Sequence, residues 1–327
     1  MTQLSDSHIH CVFCKSIHYN VRYETKDLWD NVYNINQCET CFAYYLAPFP
    51  SPKILEKAYD ETYYGTGGKK FIKPIERFIN FFRNLKAKRY SRLLHKKGKV
   101  LDIGCGNGGF LKSLSKHKEL CLYGSELQGK SAQRAAQHKN IKLNIGPFSR
   151  QAYHNLSFDM ITLFHVFEHL SNPSHTLEDI DYLLKEGGYL VMSFPNIDSY
   201  QSRLFKGMWL HLDPPRHVFF FTPKDFKTLM RSKGYTIVKE SYHSLEQNPF
   251  GITQSLLNTF IKKREVLFEY FKGHYAYARH CSPLSIFAQI IFFALTMPFA
   301  IVFETIAAWL KKGATVEFVL RKNNLAQ

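Results

Sequence analysis

Two short segments of the chain concentrate side chains that exchange protons or hold anions. Segments 164–169 and 209–218 together carry four histidines, two acids and one arginine. These residues are His165, Glu168, His169, His211, Asp213, Arg216 and His217. Histidine titrates near neutral pH, so these side chains suit general acid–base chemistry.

We expect His217 to act as the base on the substrate side and Arg216 to contact an anionic group. The other members of the two segments are predicted as further catalytic candidates (His165, Glu168 and His169) and as substrate contacts (His211 and Asp213). Structural roles are the alternative. Glu168 and His169 could order the entry of the next helix, and Arg216 could form an ion pair at a rigid Pro-Pro turn.

A glycine-rich turn follows an apolar stretch at 100–110, which reads VLDIGCGNGGF. Glycines allow a tight turn and close approach of a ligand, and a following helix offers free backbone N–H groups. Glu126 lies 22 residues after Gly104, at the end of the next predicted strand. An acid there can accept hydrogen bonds from both hydroxyls of a ribose. The pattern predicts a nucleotide-type cofactor, with a dinucleotide or a structural glycine turn as alternatives.

Four of the seven cysteines form two Cys-x-x-Cys pairs, namely Cys11 with Cys14 and Cys38 with Cys41. Four thiolates in such pairs suit tetrahedral Zn²⁺, and two unrelated pairs of buried thiols are the alternative. The odd cysteine count and this spacing fit a reducing compartment. We therefore expect a cytoplasmic protein with a zinc-binding module.

Strands that alternate with helices must position these segments. Strands are predicted at 100–103, 120–126, 141–145, 158–164, 189–194, 235–242 and 316–321. Helices are predicted within 53–95 and at 110–117, 131–138, 177–184 and 223–232, with a loop at 63–68. Such alternation predicts an α/β fold with a largely parallel sheet. Ligands of these sheets lie beyond the carboxyl ends of the strands, so the glycine turn and segment 164–169 should face one site.

Three motifs in this region resemble class I S-adenosylmethionine-dependent methyltransferases. Residues 102–108 resemble their first motif, 157–161 their fourth strand and 184–190 the turn into their fifth strand. The resemblance implies a Rossmann-like, seven-stranded sheet and S-adenosylmethionine as cofactor. It places the ribose on Glu126, the methionine moiety in the glycine loop and the adenine near 146–148. The implied cofactor contacts are Asp102, Gly104, Cys105, Gly106, Asn107, Gly108, Glu126, Leu127, Phe148 and Phe164.

Three further motifs resemble those of particular groups of methyltransferases. Residues 165–169, HVFEH, resemble the His-x-x-Glu-His stretch of ubiquinone-type O-methyltransferases and of sugar and lipid methyltransferases grouped with them. The Asp-Pro-Pro-Arg-His sequence at 213–217 is similar to that of the same relatives. The cysteine pairs resemble the N-terminal zinc-binding domain of sugar C-methyltransferases. That likeness implies a module that helps to shape the acceptor site.

A strongly apolar stretch interrupts the last part of the predicted sheet. Residues 284–303 contain no charge, and the run continues to 310 after Glu304. By length this is a transmembrane helix candidate, but both flanking strands belong to one sheet, and two crossings need roughly 40 apolar residues. We therefore predict a re-entrant hairpin or two short interfacial helices, broken near Pro298. A buried helical pair at a homodimer interface is the alternative.

These features divide the chain into four predicted units. They are a zinc-ribbon-like module at 1–46, a helical linker or lid at 47–94, a methyltransferase domain at 95–243 with 314–327, and a helical insertion at 244–313 that contains the apolar hairpin at 284–310.

The net charge of +16 favours an anionic partner. Its even spread argues against a nucleic-acid tail, so nucleic acid is not expected. We predict methyl transfer to a small acceptor, namely a lipid-linked or nucleotide-linked sugar or another surface-glycan or lipid intermediate. The enzyme would be peripheral or monotopic on the inner face of the membrane. The alternatives are O-methylation of a lipophilic quinone-type precursor and an inactive methyltransferase-fold scaffold.

Overall fold

The computed structural model describes residues 9–59, 73–95, 97–279 and 281–324, so the predicted loop at 63–68 lies outside the described residues. The strands are β1 (Tyr19–Lys26), β2 (Val32–Cys38), β3 (Tyr44–Ala47), β4 (Lys99–Ile103), β5 (Cys121–Glu126), β6 (Ile141–Ile145), β7 (Phe158–Phe164), β8 (Leu184–Pro195), β9 (Phe219–Phe220), β10 (Tyr235–Ser241) and β11 (Thr315–Lys322). The α-helices are α1 (Pro52–Ala58), α2 (Lys73–Ser91), α3 (Gly109–Leu114), α4 (Lys130–Ala135), α5 (Pro173–Leu183), α6 (Tyr200–Phe205), α7 (Pro223–Ser232), α8 (Asn248–Phe260), α9 (Val266–Phe271), α10 (Tyr275–Ala278) and α11 (Pro283–Trp309).

The predicted seven-stranded sheet is confirmed, with the order β10-β11-β8-β7-β4-β5-β6. Strands β8, β7, β4, β5 and β6 are parallel, and β11 pairs antiparallel with both β8 and β10. Consecutive residues Val100 and Leu101 are both fully buried, because helices cover both faces of a parallel sheet. Segments that follow β4, β5, β7 and β8 therefore meet at one edge.

A second, four-stranded antiparallel sheet joins the N-terminal module to the large domain. Its order is β1-β2-β3-β9, and β9 comes from the segment just after His217. The register pairs Tyr44 with Phe220 and Tyr45 with Phe219. The cysteine module is therefore built into the same sheet as the end of the 209–218 segment.

The predicted break in the apolar stretch is wrong, because Pro283–Trp309 forms one helix with Pro298 inside it. At 1.5 Å per residue, its 27 residues span about 40 Å. The helix packs lengthwise on α8, with Gln289, Ala300 and Glu304 buried. Because the helix lies along the domain, both flanking strands reach the same sheet without a turn at Pro298.

Candidate active site

The glycine loop begins where β4 ends, and Gly104 permits the close approach of the loop after β7. Gly104 has a φ of 67°, a conformation that favours glycine. A Cβ there would lie 2.4 Å from Cγ2 of Val166, so a larger residue would displace Val166 and the loop after β7. The loop and the 164–169 segment are consequently packed against each other at the carboxyl edge of the sheet.

Glu126 lies beside this loop at the end of β5. Its Oε2 accepts a hydrogen bond from the Gly106 amide at 2.6 Å, and its Oε1 accepts one from the Leu127 amide at 3.2 Å. Leu127 itself exposes its side chain to solvent. A carboxylate held by two backbone amides is an oriented acceptor for a polar ligand at the strand ends.

Asp102 is buried under the loop, where Thr162 donates a hydrogen bond to its Oδ1 at 2.6 Å. Burial raises the pKa of this carboxyl to about 7, although the Thr162 hydroxyl lowers it. Asp102 therefore ties the end of β4 to β7 directly before the glycine loop.

The other predicted cofactor contacts each have defined neighbours in the structure. Asn107 Oδ1 accepts a hydrogen bond from the Gly109 amide at 3.1 Å. Gly108 has a φ of 71° and precedes α3. The sulfur of Cys105 is packed against Gly124, whose added Cβ would lie 2.8 Å from it. The two predicted aromatic contacts pack on neighbouring rings, Phe164 on Tyr90 and Phe110, and Phe148 on Tyr153.

A buried acid–histidine cluster lies at the same edge. Glu168 is 1% exposed, and its Oε1 lies 3.3 Å from Nδ1 of His165 and 3.9 Å from Nε2 of His217. The rings of His169 and His217 are 4.5 Å apart. Burial raises the pKa of Glu168, but the nearby imidazoles of His165, His217 and His169 outweigh it and hold the pKa below its usual value.

His217 has a defined tautomer when it is neutral. Its Nδ1 lies 2.8 Å from the carbonyl oxygen of His211, which can only accept, so Nδ1 carries the proton. Nε2 then bears a lone pair and faces Glu168 and Asp213, the latter at 3.8 Å. This arrangement suits a base whose protonated form two carboxylates stabilise.

His169 and His211 are held differently. His169 Nδ1 lies 3.0 Å from the Arg216 carbonyl oxygen and 2.8 Å from the Tyr59 hydroxyl. Burial lowers the pKa of His169 to about 4 and that of His211 to about 3, so both rings are neutral at physiological pH. His211 Nε2 is buried without a hydrogen-bond partner among the described residues.

Arg216 and Asp213 form a bidentate ion pair in which Arg216 Nε donates to Asp213 Oδ2 at 2.9 Å. Arg216 Nη1 also donates to the Ala58 carbonyl at 3.3 Å. Burial raises the pKa of Asp213, but Arg216 and His217 outweigh it and hold the pKa well below its usual value. The structural alternative for Arg216, an ion pair at this turn, is therefore present.

A family model described as "Methyltransferase domain" matches residues 76–240. The chain belongs to this methyltransferase family. It is an S-adenosylmethionine-dependent methyltransferase by family and fold, which decides against a dinucleotide enzyme. The match ends before the helical insertion and begins after the cysteine module.

Several known proteins are similar to this methyltransferase. A ubiquinone biosynthesis O-methyltransferase of Coxiella burnetii is 28% identical over 173 residues, which cover 50% of this chain and 70% of that protein. A sarcosine/dimethylglycine N-methyltransferase of Aphanothece halophytica is 30% identical over 104 residues, which cover 30% of this chain and 38% of that one. The crystal structure of a SAM-dependent methyltransferase from Archaeoglobus fulgidus has a TM-score of 0.45 at 17% identity, covering 74% of this chain and 94% of that one.

The four cysteines of the N-terminal module of this methyltransferase converge. Cys11 Sγ lies 3.5 Å from Cys41 Sγ, Cys14 Sγ lies 3.5 Å from Cys38 Sγ, and all four sulfurs are within 4.8 Å of one another. A tetrahedral zinc site with Zn–S bonds of about 2.3 Å needs sulfurs about 3.8 Å apart. The residues therefore fit Zn²⁺. Hydrogen bonding within the group lowers the pKa of Cys11 and raises that of Cys41, so Cys11 is the first of the two to lose its proton.

Glu168, His169 and His217 form a second group whose ligand atoms lie within 4.8 Å of one another. A cation could bind there, but the same distances suit proton exchange between a carboxylate and imidazoles.

Some polar residues that the insertion brings near the acid–histidine cluster of this methyltransferase were not predicted from the sequence. Lys272 is fully buried and pairs with Glu269 at 2.7 Å, and Glu269 also accepts from His274 at 2.8 Å. The charge of Lys272 lowers the pKa of Asp213, which places the pair within electrostatic reach of the 209–218 loop. Acids and lysines at helical spacing usually mark a solvated face, so the sequence carried no clear signal for their burial.

Proposed function

We propose that this methyltransferase modifies a lipid-linked or nucleotide-linked sugar, or a related surface-glycan or lipid intermediate, at the inner face of a membrane. The observation that carries this proposal is the outer face of α11. Residues Leu284, Phe287, Leu295, Phe299 and Trp309 are each more than half exposed there. The buried side of the helix carries small or polar residues instead, including Gln289, Ala300 and Glu304.

This distribution is reversed relative to a helix on a soluble surface, which turns its apolar side inward. Among the described helices, α11 alone is long and apolar enough to cross a membrane, and 11% of its most apolar 18-residue stretch is buried. An amphipathic helix that lies in the membrane plane buries its outward apolar side in lipid. Peripheral or monotopic attachment fits a helix that packs lengthwise on α8 better than a crossing does.

Residues at the C-terminal end of α11 bear on how the helix would attach to a membrane. Trp309 is 71% exposed, as suits a side chain at a membrane interface. Two basic residues that follow the helix are engaged by acids of the domain, Lys311 with Glu240 and Lys312 with Asp198. Their attraction to anionic headgroups is thereby weakened, so apolar contact dominates the proposed attachment.

The cofactor would lie along the carboxyl edge formed by β4 and β5. In our proposal Glu126 accepts hydrogen bonds from the ribose hydroxyls, the loop at 104–108 surrounds the methionine moiety, and Phe148 lies near the adenine. Asp102, Cys105 and Asn107 shape the loop, and Phe164 and Leu127 border it. The bound cofactor supplies a methyl carbon on a sulfonium, which is open to in-line attack.

His217 is the proposed base. Nε2 of His217 would take the proton of the acceptor atom, and the bound cofactor would supply the methyl group that replaces it. Glu168 stabilises the imidazolium that forms, and His165 and His169 hold Glu168 and the ring of His217 in place. Asp213, Arg216 and His211 would bind the acceptor around this point, with Arg216 as the contact for an anionic group.

A second candidate is O-methylation of a lipophilic quinone-type precursor. The similarity to a ubiquinone biosynthesis O-methyltransferase favours it, and such an acceptor would also partition into a membrane. The cysteine module counts against it, because that module resembles one of sugar methyltransferases rather than of quinone enzymes.

Two measurements test the proposed function. Calorimetric titration of the detergent-solubilised protein should give micromolar-range binding of S-adenosylhomocysteine and no binding of NAD. Labelled methyl transfer should then be measured with a polyprenyl-linked sugar, a nucleotide sugar and a demethylated quinone precursor. Label in either sugar substrate supports the proposal, and label in the quinone alone supports the second candidate. Cofactor binding with no transfer to any acceptor class would favour the inactive scaffold.

A further inference from the structure

A cationic cavity lies among the helices on one face of the sheet, outside the acid–histidine cluster. Its volume is about 420 Å³, within the range of ligand pockets in proteins. Helices α2, α3 and α4 and the segments adjoining them form its walls. Its lining includes Arg83, Asn107, Lys112, Lys116, Arg134 and His138.

Helix α3 turns one side toward the hydrophobic core and the other side toward this cavity. Phe110, Leu111 and Leu114 are buried in the hydrophobic core, whereas Lys112 and Lys116 are solvent-exposed and line the cavity. Asn107 is the point of contact with the glycine loop, since it lines the cavity and also accepts from the Gly109 amide. The cavity therefore adjoins the glycine loop through Asn107, but helices form its walls.

The charge of the cavity is strongly one-sided. Four of its lining residues are cationic, and none of the described residues that line it is acidic. Lys112, Lys116 and Arg134 take part in none of the ion pairs found among the described residues. Like charges that share a concave site repel one another and focus a positive potential, which an anion would relieve.

The lining also offers neutral donors and one unused buried donor. Arg134 donates from Nη2 to Ser131 Oγ at 3.3 Å, but its Nε is buried with no acceptor among the described residues. Buried N–H groups in folded proteins nearly always have a partner, so an unsatisfied one indicates a ligand or solvent site. Side-chain amides of Asn80, Asn84 and Gln137 add further donors around the cavity.

We propose that this cavity binds a phosphate-bearing ligand, most favourably a diphosphate. Two lysines four positions apart on one wall and two arginines on the others supply four positive charges, which match the charge of a diphosphate. The phosphate could belong to a soluble compound or to an anionic lipid headgroup, because both present the same oxygens. The site is distinct from the acceptor site proposed above, and its ligand would lie beside the cofactor loop through Asn107.

The test uses the full chain with zinc bound and saturated with S-adenosylhomocysteine, so that the cofactor site is filled. Inorganic pyrophosphate is titrated calorimetrically into the wild type, the Lys112→Gln/Lys116→Gln variant and, separately, Arg134→Gln. A Lys224→Gln/Arg231→Gln variant loses the same two charges from exposed positions of α7 and serves as the matched control. In a second arm, each protein is sedimented with vesicles of phosphatidylcholine alone or of equal parts phosphatidylcholine and phosphatidylglycerol.

We expect pyrophosphate to bind the wild type and the control alike, and to bind both cavity variants about tenfold more weakly or worse, since each loses charge-assisted hydrogen bonds. That result assigns the site to a soluble phosphate. Loss of only the extra binding to phosphatidylglycerol vesicles in the cavity variants assigns it to a lipid phosphate. If the cavity variants match the control in both arms, the cavity is no anion site and the proposal is overturned.

Discussion

The proposed cofactor edge and the proposed acceptor region of this methyltransferase are assembled in opposite ways. The cofactor edge comes almost entirely from one stretch, 100–126, in which a strand, a glycine loop, a helix and a second strand follow in sequence. The acceptor region collects Tyr59, segments 165–169 and 211–217 and the insertion around Lys272. The motifs proposed for the cofactor thus lie in one continuous segment of the chain, whereas the proposed acceptor region depends on how distant segments pack.

The two regions should differ in function, one in cofactor binding and the other in turnover, and variants can test this difference. Changes at the cofactor edge should weaken binding of S-adenosylhomocysteine. Changes in the acceptor region should reduce turnover and leave that binding intact, because none of its side chains is proposed to contact the cofactor's ribose or methionine moiety.

The largest expected effect is that of His217→Ala. Removal of a general base lowers kcat by roughly 10²–10⁴-fold, and the affinity for S-adenosylhomocysteine should stay within error of the wild type. Steady-state methyl transfer and calorimetry measure the two quantities. His243→Ala, at an exposed position outside the cluster, is the matched control. Equal kcat in both variants would remove His217 from the chemistry.

A substitution in the cysteine module should come next. Val218 connects the module to the cluster, because its carbonyl accepts from the Leu46 amide at 2.9 Å and its amide donates to the Glu168 carbonyl at 2.9 Å. Cys38→Ser should lower bound zinc and shift these contacts. Since displacement of catalytic groups by about 1 Å can reduce rates roughly 100-fold, we expect a kcat loss of that order with cofactor affinity retained.

Cys121→Ser is the control for that prediction, because Cys121 is exposed and lies outside the four-sulfur group. Zinc is measured by metal analysis of the purified variants. Full zinc content in Cys38→Ser would contradict the assignment of the site. Normal turnover without zinc would show that the module and the acceptor region are independent.

The sequence predicts best those elements that local patterns encode, as it does along the proposed cofactor edge. The strands β4, β5, β6 and β7 lie within a residue of their predicted bounds, because apolar runs and glycine turns are local signals. The cysteine spacing also predicted the convergence of four sulfurs. Helices α3 and α4 end three residues earlier than predicted, as polar residues continue the helical pattern beyond the last buried position.

The predictions were wrong where contacts between residues far apart in the sequence determine the structure. The apolar stretch was predicted to break at Pro298, but the polar side of the helix finds partners in the domain, as Glu304 does with Gln201 at 2.6 Å. Lengthwise packing on α8 removes the need for a turn. In the same way, Lys272 and Glu269 are buried by packing among the helices of the insertion, which no short-range pattern encodes.

On the cofactor side, Glu126→Ala should weaken S-adenosylhomocysteine binding by roughly tenfold or more, since each hydrogen bond to a charged group contributes about 1.5–3 kcal/mol. Residual turnover at saturating cofactor should be closer to wild type than that of His217→Ala. Glu119→Ala, at an exposed position just before β5, is the control in calorimetry. Undiminished binding in Glu126→Ala would exclude this carboxylate as the ribose contact.

The last prediction concerns stability instead of binding or turnover, and it is a pH dependence that arises from Asp102. Its pKa is raised to about 7 in the folded protein from an ordinary value of 3.8, so folding favours the protonated carboxyl. Its contribution to the free energy of unfolding is therefore greatest below pH of about 4 and falls as pH rises toward about 7. Asp102→Asn keeps an acceptor for Thr162 but cannot ionise. Denaturant unfolding across this range should show a gain of the variant over the wild type that grows with pH, and a constant difference would mean that Asp102 is charged throughout.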